Sequence, residues 1–177
     1  MDGLTNVLSD EHQNILKVIK SLKKECKEIE AGKPVDQEYF AMAIDFIRNY
    51  ADKFHHAKEE DILFKAMCGD GVEMHCNPTD QMLHEHDLGR ELVKKMEIGL
   101  NENDSKKIVE NALGYALLLE DHIFKEDNIL YPMASQSLPP EMQESVKEQF
   151  TAVEAEKFTP EMKEKYLQMI NDFEQRT

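Results

Sequence analysis

Apolar residues return every three or four positions through four long stretches of this chain, and each stretch interrupts its own stripe with one histidine. From Leu4 to Glu30 the stripe reads Leu8, His12, Ile15, Ile19, Leu22, Cys26 and Ile29, and Gly32 and Pro34 end it. From Asp36 to Met67 it reads Ile44, Ile47, Ala51, His55, Glu59, Ile62 and Leu63. Asn77 as cap and Pro78 in the first turn open a third stretch, with Met82, Leu83, His86, Arg90, Val93 and Met96, ending near Asn101. The fourth runs from Asp104 to Tyr131, with Pro132 as its stop, and its inner side reads Ile108, Tyr115, Leu118, Leu119, His122, Glu126, Ile129 and Leu130. Two shorter amphipathic stretches begin near Pro139 and Pro160, the second with a Thr159-Pro160 start signal. No alternating pattern suggests a strand. The expected fold is all-α: an antiparallel up-and-down four-helix bundle over residues 1–132, with a short C-terminal helical extension, 133–177, packed on it.

A polar group on an apolar stripe is costly unless it has a partner. Two of the four histidines have a carboxylate one turn on, His55 with Glu59 and His122 with Glu126, and residues four apart share a helix face. The chain also repeats itself: HHAKEEDILF from His55 matches HIFKEDNILY from His122, and SDEHQNIL around His12 is echoed by LHEHDLGR around His86. Each half thus supplies one helix with a single histidine and one with a His-Glu pair. A bound cation removes the burial cost, and imidazole with carboxylate suits iron. Each carboxylate has two oxygens, so two metals bridged by Glu59 and Glu126 is the natural arrangement.

Charge limits the partners. With 36 acidic against 21 basic residues the net charge is −15, which argues against nucleic acid or an anionic membrane. No apolar run is long enough to span a bilayer, and the N-terminus lacks the pattern of a signal peptide. Cys26, Cys68 and Cys76 are odd in number and scattered, which predicts a reducing, cytoplasmic setting. Cys68, His75 and Cys76 are too few at zinc spacing for a zinc site. His-Glu-x-x-His, Glu-x-x-His, phosphate-loop and nucleophile-elbow motifs are all missing.

Glu11-His12, HHAKEEDILF, MLHEHDLGR and HIFKEDNILYP together resemble the hemerythrin-like, or HHE cation-binding, family over roughly Leu4 to Pro132. The resemblance implies a four-helix bundle with a bridged, non-haem di-iron centre that reacts with oxygen-type ligands. It makes His12, His55, His86 and His122 the terminal ligands and Glu59 and Glu126 the bridges. The chain departs from the oxygen carriers of that family, which set a fifth histidine on the third helix by a His-x3-His pair; here Arg90 and Met82 flank His86 at that spacing. His84 and His56 are the candidates for a fifth ligand, but helix geometry favours solvent, or a hydrogen bond behind a ligand, for both. Oxygen carriers place the second carboxylate where Asp127 stands; the internal repeat favours Glu126, with Asp127 and Glu60 facing outward.

The expected function is therefore a di-iron protein, with two iron ions as cofactor, that binds dioxygen or another small diatomic or peroxide ligand for sensing, storage or stress defence. Two alternatives remain at this point: an enzyme detoxifying peroxide or nitric oxide on the same metals, and an iron- or redox-responsive interaction module. Ile15, Ile62, Leu118 and Ile129 are the expected apolar neighbours that exclude water.

Overall fold

Caps and breakers divide the chain where the sequence reading places its boundaries. The computed structural model describes residues 3–69, 72 and 78–176, and every regular element among them is helical. The elements are α1 (Asn6–Glu30), α2 (Gln37–Phe46), π1 (Ile47–His56), π2 (Glu59–Leu63), α3 (Phe64–Met67), α4 (Pro78–Glu102), α5 (Ser105–Lys125), π3 (Glu126–Leu130), α6 (Tyr131–Ser137), α7 (Pro140–Lys157) and α8 (Pro160–Gln175). The Asn77 cap, His75 and Cys76 lie outside the described residues.

Short side chains start the helices and left-handed residues stop them. Asp36 accepts from the Tyr39 amide and Asp104 from the Lys107 amide, each at 3.0 Å, and Thr159 accepts from the Met162 amide at 3.3 Å. Gly32, at φ +104°, turns the chain out of α1, and Asn103, at φ 55°, ends α4. The α4–α5 link is so tight that a Cβ on Gly99 would sit 3.0 Å from the Ile108 amide nitrogen. That approach favours glycine, since any larger residue would have to push the backbones apart by a few tenths of an ångström.

The second and fourth stretches are not uniform α-helix. From Ile47 to His56, Glu59 to Leu63 and Glu126 to Leu130 the backbone widens to π geometry, in which each bond spans one residue more than in an α-helix. Two sequence expectations change here. Ile129 turns outward, 52% exposed, while Leu130 is buried; the repeat counterpart of Ile129, Ile62, is buried in π2, on which α7 lies. Pro132 does not stop the fourth stretch: it stands in the first turn of α6, directly after π3, where a missing amide hydrogen is tolerated, and the helix runs on to Ser137. Leu83 on α4 also faces outward, leaving Met82 as the buried neighbour.

Two apolar cores form. The larger collects Ile15 to Cys26 of α1, Tyr39 to Phe54 of α2 and π1, Val93 and Met96 of α4, Ile108 to Ile123 of α5, and Phe158 to Phe173 from the last helices. The smaller collects Leu4, Leu8, Ile62 to Met67, Met82, Leu130 to Leu138, Val146 and Phe150. Between them lie the four stripe histidines. Along α1 and α4 the chain meets the smaller core, then the histidine, then the larger core; along the second and fourth stretches the order reverses. Helix α4 packs on α5, α1 on α5 and α8, and α2 on α4 and α8, while α7 lies on π2.

Helix α8 joins the larger core through Phe173, which is fully buried with its ring edge-on to Tyr39 at 5.3 Å and Phe46 at 6.3 Å. Truncating it removes a large apolar surface from a packed site. Phe173→Ala is expected to cost about 3–5 kcal/mol, read as a lower urea midpoint in a single transition. A midpoint unchanged from the parent would mean that α8 adds nothing to that core.

Candidate metal centre

All six residues singled out by the sequence converge in the layer between the two cores. His12, His55, Glu59, His86, His122 and Glu126 are each at most 2% exposed. The histidines form two matching pairs. His12 and His55 meet edge to face with centroids 4.6 Å apart at 61°; His86 and His122 do so at 4.7 Å and 63°. The repeat in sequence is thus a repeat in space.

The carboxylates lie between the pairs. Glu59 puts Oε1 3.7 Å from His55 Nε2 and Oε2 3.5 Å from His86 Nε2. Glu126 puts Oε2 3.3 Å from His12 Nε2 and Oε1 3.1 Å from His122 Nε2. Each carboxylate therefore offers one oxygen to each histidine pair.

Ring orientation follows from the other nitrogen. The Nδ1–H of His12 donates to Asp127 at 2.9 Å, that of His55 to Glu11 at 2.8 Å, that of His86 to Glu60 at 2.7 Å and that of His122 to Glu85 at 2.8 Å. A carboxylate behind Nδ1 orients the ring with Nε2 facing inward and makes it a better ligand, and there His86 Nε2 and His122 Nε2 come within 2.9 Å and share a proton. Asp127 and Glu60 thus face the site, where the sequence reading turns them outward. The wide turns π2 and π3 begin at Glu59 and Glu126, and within them Glu60 and Asp127 reach histidines of the opposite half.

A third shell of charge supports the carboxylates. Lys58, fully buried, ion-pairs with Glu11 and lies 3.8 Å over the Phe54 ring; its repeat partner Lys125 ion-pairs with Glu85. Arg90 donates to Asp52 from Nε at 2.9 Å and to Glu60 from a terminal nitrogen at 2.6 Å. Tyr131 donates to Glu59 Oε1 at 2.5 Å and lies parallel to the His12 ring. None of Glu11, Glu85, Lys58, Lys125 or Tyr131 is singled out by the stripe pattern. The signal was present in the repeat itself, which pairs Glu11 with Glu85, Lys58 with Lys125, and Glu60 with Asp127. Of the two candidates for a fifth ligand, His84 is exposed, whereas His56 is buried against His86.

The residues present fit a bound cation. Glu59 Oε2 and both oxygens of Glu126 are buried with no hydrogen-bond donor. Burial, and next the Glu126 carboxylate, hold Glu59 well above the usual carboxylate range. Burial would raise Glu126 too, but the charges of His122 and His12 outweigh it and hold it low. Burial opposes charge on His12, yet Asp127 and Glu126 raise it to about 9, while burial and then His12 push His55 well below its ordinary value. Three groups of donor atoms lie close enough to share an ion: His12, His55, Glu59 and Glu126; His56, Glu59, His86 and His122; and, less buried, Asp52, His56 and Glu60. Neutral imidazoles with carboxylates suit a first-row transition cation.

The Lys58–Glu11 pair tests the supporting shell without any metal. Lys58→Met strands a buried carboxylate and is expected to cost about 3–5 kcal/mol in the metal-free protein. Adding Glu11→Gln to it should recover part of that loss, because no buried charge then lacks a partner. Equal urea midpoints for the single and double variants would contradict this account.

Residues 3–134 match the family model described as the hemerythrin HHE cation binding domain. Comparison with curated proteins and with solved structures gave no match. No helix among the described residues is long and apolar enough to cross a membrane.

Proposed function

The chain belongs to the hemerythrin HHE cation-binding domain family, and from that premise we propose that it holds two iron ions and binds dioxygen or a related small molecule there. The observation that carries this reading is the placing of Glu59 and Glu126, each with one oxygen toward each histidine pair. In it His12 and His55 hold one ion, His86 and His122 the other, and the two glutamates join them. The reversing order of cores along the four stretches supports an antiparallel up-and-down bundle over residues 1–132, with 133–177 closing over it.

Two ferrous ions would supply the electrons for reduction of an oxygen-type ligand. The chain's own residues do the rest. Asp127, Glu11, Glu60 and Glu85 hold the four imidazoles in one orientation, so no ring must turn before binding. Ile15, Ile62 and Leu63 are buried in the two cores that flank the layer and keep bulk water out. Tyr131 places a hydroxyl proton at Glu59 Oε1, 3.3 Å from His12 Nε2, where an anionic ligand would accept it.

Protein purified without a metal-affinity tag is expected to carry about two irons per chain, the number that paired carboxylate-imidazole sites take. Air admitted to the anaerobic ferrous form should bring up a ligand-to-metal charge-transfer band. Glu126→Ala should lose both the iron and the band. A single metal per chain, or no spectral change in air, would remove the proposal.

An enzymatic reading on the same metals has one observation in its favour. A cavity of about 510 Å³, lined in part by His56, His86, Gly89 and Tyr115, lies against the His86 side of the layer and far exceeds the size of a diatomic ligand. Repeated turnover of hydrogen peroxide or nitric oxide, abolished by Glu59→Ala, would favour it over stoichiometric binding.

A further inference from the structure

The two halves of the bundle differ one turn past their single histidines. After His12 the chain places Ile15, which is buried in the larger core; after His86 the repeat places Gly89. A Cβ on Gly89 would meet the Tyr115 ring at 3.5 and 3.8 Å and Leu118 at 4.0 Å, all ordinary contacts. No close approach of backbones calls for a glycine here, and a glycine inside a helix is destabilising relative to alanine. The missing side chain leaves part of the cavity of about 510 Å³ between π1, α4 and α5. Ile47, Val93 and Leu119 give that cavity an apolar wall, and of the six residues of the metal layer only His86 reaches it.

Tyr115 lines the cavity too. Its hydroxyl is buried without a hydrogen-bond partner, the one such side-chain atom among the described residues of this wall. A buried phenol usually finds a partner. The carboxylates of the wall are already committed: Asp52 to Arg90, Glu85 to Lys125 and His122, and Glu97 to Arg48. Burial, and next the Asp52 charge, push the ionisation of the phenol up, so it stays a donor. The ring carbon nearest the missing Cβ, Cε2, is next to the one that carries the hydroxyl, so the space over Gly89 adjoins the unpaired donor. A glycine without a packing reason, an unfilled volume and an unpaired hydroxyl each cost stability, and here they coincide. Local costs of this kind gather at functional sites.

We propose that this cavity is a binding site for an uncharged organic molecule, apolar in body, with one carbonyl-type oxygen that accepts a hydrogen bond from the Tyr115 hydroxyl. Its volume is that of small-molecule sites, which join an apolar lining to a few polar groups. Asp52, Glu85 and Glu97 disfavour an anion against this wall, and a cation brings the phenol no acceptor. The inference rests on the cavity and not on the two-iron reading.

Two probes of one shape test it on the full chain as purified, with iron measured in every sample. They are acetophenone with carbon-13 in its carbonyl, and α-methylstyrene, which has a methylene in place of the oxygen. Acetophenone should bind saturably, with its carbonyl stretch lowered from the value in hexane. Tyr115→Phe should weaken acetophenone about fivefold to tenfold, the net worth of one neutral hydrogen bond, and return the stretch toward the hexane value. The same variant should bind α-methylstyrene at least as tightly as the parent does. Gly89→Ile, which copies the other half and fills the space, should weaken both probes without lowering the urea midpoint. No saturable binding of acetophenone, or an affinity and carbonyl stretch unchanged in Tyr115→Phe, would overturn the inference. Benzoate bound more tightly than acetophenone would overturn the uncharged class. Fewer than two irons alongside the expected binding would remove the two-iron reading and leave this site standing.

Discussion

A polar layer cut through an apolar bundle is the constraint on which the rest of this structure depends. Four imidazoles and two carboxylates occupy positions that the helix period assigns to the core, and the apolar residues gather above and below them in two separate clusters. Such a layer is worse than an apolar core unless each member is satisfied. The chain meets that demand for its four imidazoles in sequence-local ways, leaving Glu59 Oε2 and both Glu126 oxygens without a donor. The residue before each single histidine, Glu11 or Glu85, supports the histidine of the neighbouring His-Glu helix, and the residue after Glu59 or Glu126, Glu60 or Asp127, supports the single histidine of the other half. Support thus crosses between helices at every ring. The four stretches are locked to one register, because sliding any of them by a turn would strand a charge.

The same demand explains the π turns. An α-helix sends residues four apart to one face and their immediate neighbours about a quarter-turn away. Here Glu59 must face the layer while Glu60 reaches His86, and Glu126 must face it while Asp127 reaches His12. Wider turns that begin at Glu59 and Glu126 bring both carboxylates of each pair to the layer. Their cost is a poorer hydrogen-bond pattern, confined to the segments that do this work.

Much of the fold and site was legible because it depends on α-helical spacing. The six inward residues, the starts at Asp36, Asp104 and Thr159, and the break at Gly32 all follow rules of helix period and capping, whereas the third stretch runs to Glu102 and turns at Asn103 rather than near Asn101. The errors gather where that period fails. Ile129 turns out, Pro132 is passed over, and Asp127 and Glu60 turn in, all within or beside π2 and π3. His56, one residue past His55 in π1, is buried with its ring stacked on His86 and its Nδ1 at Asp52, which fits the hydrogen-bonding role behind a ligand that helix geometry suggests rather than an exposed one. The supporting lysines were hidden for a different reason. Lys58 and Lys125 read as solvated charge on an acidic chain, and only the contact with Glu11 or Glu85 shows why one of them is fully buried.

Charge in the layer argues for what it holds. Glu11, Asp52, Glu59, Glu60, Glu85, Glu126 and Asp127 bring seven carboxylates to it, against three fixed cations, Lys58, Arg90 and Lys125. Carboxylates so outnumber fixed cations in a region of low dielectric, where uncompensated charge is expensive, and the rise of His12 to about 9 and the upward push on Glu59 both act to reduce that excess. A bound cation would relieve the same excess, in keeping with the cation-binding family to which the chain belongs. Tyr131 adds a hydroxyl proton at Glu59 Oε1, beside the His12 ring, so one carboxylate oxygen of the layer has a donor that is neither imidazole nor lysine.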